Sequence, residues 1–111
     1  MLKSILIIPT YNELHNVPII YKKIRKYNYN LDILFVDDNS PDKTINAIKK
    51  IQKKDSKVNF ILRKKKNGIG SAHKTGIKWV IKNNYKICIT MDADLTHDPK
   101  FIPKMIKLSE H

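Results

Sequence analysis

The sequence predicts an α/β fold, a doubly wound parallel sheet with helices on both faces, in a single domain over residues 1–111. Two observations carry this expectation. The apolar runs Ser4 to Pro9, Leu31 to Val36, Val58 to Leu62 and Ile87 to Met91 are short and nearly continuous, the pattern of strands covered on both faces. Between them apolar residues recur at helical spacing, so that strand and helix alternate in units near the length of a βα repeat.

The first run is closed by Pro9, and after the turn Thr10-Tyr11-Asn12-Glu13 a helical stripe follows at Val17, Ile20, Tyr21 and Ile24. Asn16 is the expected cap of that helix, with Pro18 tolerated in its first turn. The second run ends in Asp37 and Asp38. Ser40, Pro41 and Asp42 then read as cap, first-turn proline and dipole-favoured acid of a helix with Ile45, Ile48 and Ile51 inward.

Beyond the third run, Lys66-Asn67-Gly68-Ile69-Gly70 leads into a helix whose inner face carries Ala72, Gly76 and Val80, small enough for close packing. The Gly-x-Gly lacks the third glycine of a dinucleotide fingerprint and reads as a tight turn. The fourth run enters Asp92-Ala93-Asp94. A last helix is expected from Pro99, capped by Asp98, with Phe101, Ile102, Met105 and Ile106 on one face.

Composition narrows the partners. The 22 basic against 10 acidic residues give a net charge of +12, which favours anionic ligands or an anionic surface. The basic residues are almost all Lys and are spread over the helices, as on solvated faces. Only Arg63-Lys64-Lys65-Lys66 is dense, and no aromatic residue interleaves with it as a base-stacking platform would require, so no nucleic acid is expected. The single cysteine, Cys88, lies inside an apolar run and excludes an intrachain disulfide.

The apolar stretch before Pro9 is too short for a signal peptide or a membrane span, so the expectation is a soluble chain or one peripheral to the cytoplasmic face of a membrane. His15, His73 and His111 lack metal-ligand spacing, and Trp79 and Tyr85 read as packing residues.

If the first, second and fourth strands are parallel, Thr10 to Glu13, Asp37 to Ser40 and Asp92 to Asp94 emerge at one sheet edge, where open α/β sheets bind ligands. Crowded carboxylates repel one another, and a bound cation is expected to relieve them. Asp92 and Asp94, alternate residues of an extended segment, offer hard oxygen ligands to one Mg²⁺ or Mn²⁺.

These segments carry a resemblance. Ile8-Pro9-Thr10-Tyr11-Asn12-Glu13, Val36-Asp37-Asp38-Asn39-Ser40-Pro41-Asp42-Lys43-Thr44, Gly68-Ile69-Gly70-Ser71-Ala72 and Met91-Asp92-Ala93-Asp94-Leu95-Thr96-His97-Asp98-Pro99 resemble, in order, the family-2 inverting glycosyltransferases. Within these the chain is most similar to the branch that makes dolichyl- and polyprenyl-phosphate mannose.

The resemblance implies the N-terminal, nucleotide-sugar-binding half of a GT-A fold, built on a Rossmann-like sheet. It implies transfer of mannose from GDP-mannose to a polyprenyl (dolichyl) phosphate with inversion, in the service of protein glycosylation and in contact with a membrane. It also assigns substrate-binding roles to Pro9, Tyr11, Glu13, Val36, Asp38, Asp92, Ala93 and Asp94, with metal held by Asp92 and Asp94. Asn39 stands where the family often has Gly, and Thr96 where some relatives have Gln.

No catalytic base is assigned, because a phosphate monoester with a second pKa near ~6 is already largely a dianion at neutral pH. Two alternatives remain open on the residues alone. One keeps the family but takes UDP-glucose or a polysaccharide acceptor. The other is a basic module that binds nucleic acid or phosphoprotein. A receiver-like domain would carry its acidic pair after the first strand, whereas here it follows the second.

Overall fold

The first apolar run forms the middle of the sheet. β1 (Ser4–Thr10) lies between two parallel neighbours, β2 (Asp32–Asp37) and β4 (Ile87–Thr90), and β3 (Val58–Leu62) extends the parallel sheet beyond β2. The structure is a computed structural model that describes residues 3–27, 31–64, 69–91 and 104–107. A further strand, β5 (Lys104–Lys107), pairs antiparallel with β4, giving the order β3-β2-β1-β4-β5.

Residues Ile5 to Ile8 of β1 all have 0% exposure, which is why the run shows no polar alternation. Leu6, Ile8, Ile33 and Phe35 face one layer, where Val17, Ile20 and Ile24 of α1 (Asn16–Tyr27) and Ile48 and Ile51 of α2 (Thr44–Gln52) complete a core. Ile5, Ile7, Leu34, Val36 and Cys88 face the other, packed against Ala72 and Val80 of α3 (Ile69–Lys82). The Cys88 thiol is buried there, and desolvation pushes its pKa up to about 11, so it behaves as a core group.

The expected small face of α3 is present, and Gly76 is its closest point. A Cβ there would stand 2.9 Å from Ile7 Cγ2 and 3.4 Å from Val36 Cγ2. Trp79 and Tyr85 pack as expected, with ring centroids 6.2 Å apart at the far end of the sheet, and the Tyr85 hydroxyl donates to Asp32 at 2.6 Å.

Three local expectations are corrected. Met105 and Ile106, expected on a last helix, lie in β5, where pairing satisfies the outer edge of β4; a four-residue stretch carries too little periodicity to distinguish the two forms. Asp98, Pro99, Phe101 and Ile102 lie outside the described residues.

Ser40 does not cap α2. That helix starts at Thr44 behind Lys43, which is left-handed (φ 65°), and the N–H of Thr44 donates to Asp42 Oδ1 instead. At α1, Asn16 is the first helical residue and no acceptor cap. Its side-chain amide donates to the Glu13 carboxylate at 2.7 Å, while the Glu13 carbonyl accepts the N–H groups of Asn16 and Val17.

The chain builds outward from β1 through β2 to β3, then crosses by α3 to the opposite side of β1 and adds β4. The strand order therefore reverses beside β1, and the crevice at the carboxyl ends of β1 and β4 is the switch point of the sheet. Among the described residues, no helix is long and apolar enough to cross a membrane.

Candidate functional site

The loops that follow β1 and β2 are joined into one rim by a buried carboxylate. Asp37 has 0% exposure, and its Oδ1 accepts the hydroxyls of Thr10 and Ser40, each at 2.7 Å, while Oδ2 accepts the Ser40 N–H at 3.0 Å. A buried carboxylate is tolerated when donors surround it, and here three do. The Ser40 hydroxyl is used twice, because its oxygen also accepts the Asn12 N–H at 2.9 Å.

The rim continues outward by the same means. Thr44 Oγ1 accepts the Glu13 N–H at 3.0 Å, and Asp42 Oδ2 accepts the Leu14 N–H at 3.1 Å. Burial pushes the Asp42 carboxyl up, but hydrogen bonds from Thr44 and from the Leu14 N–H outweigh it and hold the group below its ordinary value. Among the described residues, three of the four non-glycine residues with positive φ lie in these loops: Asn12 (56°), Asn39 (53°) and Lys43 (65°). Asn39 thus takes the left-handed backbone expected where the family often has Gly.

Asp38 is held differently from its neighbour. Arg63, the first residue after β3, grips it in a fork, with Nε on Oδ1 at 2.6 Å and Nη2 on Oδ2 at 2.7 Å. The remaining arm, Nη1, donates to Ser71 Oγ at 2.8 Å and Thr75 Oγ1 at 3.3 Å on α3. The hydrogen bonds to Asp38 push the guanidinium further up in pKa despite its burial, so it is a fixed cation.

The sequence-expected site residues divide as follows. Pro9, near the end of β1, and Tyr11 and Glu13 in the loop after it are half-buried, and Asp38 is buried just beyond β2. Val36 is wholly buried, its side chain packed in the core beneath α3, so any contact it makes with a ligand runs through the main chain. Asp92, Ala93 and Asp94 lie outside the described residues. Met91, just before them, is tied into the sheet by its N–H on the Ile7 carbonyl at 3.1 Å, which brings the chain to the switch-point edge.

The expectation that a cation relieves crowded carboxylates is corrected for the first two loops. Asp37, Asp38 and Asp42 are already satisfied by hydroxyls, N–H groups and a guanidinium. Among the described residues, no group of three or more His, Cys, Asp and Glu side chains could hold a metal. The expected metal ligands, Asp92 and Asp94, lie outside the described residues; their hard oxygen atoms are of the chemical type a divalent ion takes.

Arg63, Ser71 and Thr75 were not legible as site residues, since Arg63 reads as one more charge in a lysine run. One signal was available. The chain has two arginines among its 22 basic residues, and each makes an ion pair with an aspartate, Arg25 with Asp55 at 2.8 Å and Arg63 with Asp38. Where lysine is the default cation, an arginine marks a place that needs a planar fork.

The chain is 33% identical over 106 residues to the undecaprenyl-phosphate mannosyltransferase of Micrococcus luteus, covering 96% of this chain and 44% of that protein. It is 33% identical over 105 residues to the polyprenol monophosphomannose synthase of Mycolicibacterium smegmatis, covering 94% of this chain and 40% of the relative. The chain thus spans less than half the length of either curated relative.

Among solved structures, the mannosyltransferase PcManGT from Pyrobaculum calidifontis, in complex with GDP-Man and Mn²⁺, superposes with a TM-score of 0.74 at 22% identity, over 84% of this chain and 28% of that one. S. aureus TarS 1-349 gives 0.70 at 21% identity, over 83% and 27%. At these identities the structures establish a shared fold. With the glycosyl transferase family 2 model matching residues 5–111, the chain belongs to glycosyltransferase family 2.

Proposed function

We propose that this chain is the donor-binding half of a polyprenyl-phosphate mannosyltransferase, taking GDP-mannose as donor and a polyprenyl or dolichyl phosphate as acceptor. The observation that carries the reading is the joined rim: Asp37 locks the loops after β1 and β2 together at the switch point, beside the strand that leads to Asp92 and Asp94. The relatives supply the substrate class.

In this reading Pro9, Tyr11 and Glu13 line one wall of the nucleotide pocket, and Val36 and Asp38 the other. An ionised Asp38 accepts N–H or O–H donors from the base or ribose. Asp92, Ala93 and Asp94 face the diphosphate, with Asp92 and Asp94 holding Mg²⁺ or Mn²⁺. When bound, that ion supplies Lewis-acid stabilisation of the departing diphosphate.

The acceptor phosphate is the nucleophile and is already ionised at neutral pH, so no residue is needed to remove a proton. The chain contributes position and a pre-arranged field, with rim N–H groups and side chains fixed before the donor arrives. A peripheral contact with an anionic membrane face suits both the +12 charge and a lipid-borne acceptor.

Calorimetric titration of GDP-mannose and UDP-glucose, each with and without Mn²⁺, tests the reading. Metal-dependent binding with preference for GDP-mannose is expected. Equal or stronger binding of UDP-glucose would sink the mannose assignment, and loss of the metal effect in Asp92→Asn and Asp94→Asn would locate the ion.

A further inference from the structure

We infer that Arg63 is a positioning residue for the donor pocket, one that aims the Asp38 carboxylate and ties it to the start of α3. This rests on the proposal that Asp38 contacts the nucleotide. The geometry behind it is a three-way junction: one guanidinium binds the end of β2 through Asp38 and the first turns of α3 through Ser71 and Thr75, and it leaves from the end of β3.

Three features separate this junction from an ordinary surface ion pair. Both side chains are largely withdrawn from solvent, at 10% exposure for Arg63 and 6% for Asp38, so the contact is not screened as a surface pair would be. The fork is bidentate and planar, which fixes the carboxylate's torsion as well as its place. The Arg63 N–H also donates to the Asp37 carbonyl at 2.8 Å, so main chain and side chain of one residue hold both members of the acidic pair.

The division of labour between the two acids follows. Asp37 is surrounded by its own loops and has a structural task, to close the rim. Asp38 is gripped through both carboxylate oxygens by a guanidinium that comes from outside its own loop. Arg63 then acts on the nucleotide only through Asp38. A lysine at this position would keep the charge but lose the fork and the simultaneous reach to Ser71 and Thr75.

The test is a double-mutant cycle on the 111-residue chain, with GDP and Mn²⁺ as probe in calorimetry, comparing wild type, Arg63→Lys, Asp38→Asn and the double variant. Arg63→Lys is expected to weaken GDP binding by at least about tenfold, and the double variant to bind no worse than Asp38→Asn alone. Additive losses, or wild-type affinity in Arg63→Lys, would overturn the inference.

Amide hydrogen exchange without nucleotide supplies a second reading that does not need the donor proposal. Faster exchange in Arg63→Lys is expected at residues 38–44 and 69–75 only, with the amides of β1 and β4 unchanged. No change there, or loss of protection throughout the sheet, would count against a positioning role. If wild type bound neither GDP nor UDP, the donor proposal would fail for this chain, while the exchange result would still decide whether Arg63 orders the loop.

Discussion

The two ends of the sheet handle buried polar groups in opposite ways. At the end where the strands begin, Tyr85 donates to Asp32, stacks on Trp79 and lies beneath the Lys3 ammonium, 4.3 Å from the ring centroid. Burial and the Asp32 carboxylate hold the phenol well above its ordinary pKa, so it stays a neutral donor. At the end where the strands finish, Asp37 and Asp38 are buried as acceptors, and three left-handed residues shape the loops around them.

The first arrangement closes a core; the second keeps a rim in a form that the backbone alone would not choose. Among the described residues, even the left-handed one at the closed end has an ordinary task. Asn84 (φ 67°) ends α3, where the Tyr85 N–H bonds the Val80 carbonyl in the manner of a Schellman cap.

Substitutions should expose the difference. The largest effect is expected for Asp37→Ala, which leaves the Thr10 hydroxyl and the Ser40 N–H without their buried acceptor. A loss of about 3 kcal/mol in urea unfolding, together with loss of GDP binding, is expected. Tyr85→Phe should cost about 1 kcal/mol and leave nucleotide affinity unchanged, since it touches only the closed end. Equal effects of the two on GDP binding would erase the contrast.

Glycine substitutions probe the strained backbone. Lys43→Gly and Asn84→Gly should each stabilise the fold by about 0.5 kcal/mol by relieving a left-handed residue. Only Lys43→Gly should alter nucleotide affinity, by loosening the turn before α2; calorimetry on both variants checks this.

Acid dependence is the last and most diffuse effect. Burial pushes the Asp55 carboxyl up, but hydrogen bonds from Arg25, Tyr21 and the Lys57 N–H outweigh it and hold the group below its ordinary 3.8. Asp42 is likewise lowered. A depressed folded pKa stabilises the fold above the unfolded value and is lost as pH falls through the folded one. Thermal midpoints should therefore decline as pH falls below the ordinary carboxylate value, and Asp55→Asn should flatten that decline without affecting GDP binding.

The centre of the sheet was legible because β1 and β2 are buried on both faces and the helices on one, so each wrote its own period into the chain. The edge that carries the site followed from parallel order alone. Contacts between residues far apart in sequence were not legible. Arg63 and Asp38 are 25 positions apart, and nothing local in Arg63-Lys64-Lys65-Lys66 says which cation turns inward. Ser40 was misassigned for a related reason: its hydroxyl suits a helix cap, but Asp37 and the Asn12 N–H use it first. Asp37, Asp38 and Asp42 looked like an unmet demand for a cation because donors to them come from segments far along the chain.

Gly76 bears on the rim from a distance. With no room for a methyl group between α3 and the side chains of Ile7 and Val36, the helix rests directly on β1 and β2. That seat sets the height at which Ser71 and Thr75 meet Arg63. The glycine is thus a shim of zero thickness. Thickening it by one carbon would lift the helix and tilt the guanidinium fork, retuning the nucleotide rim from inside the core without altering a residue on it.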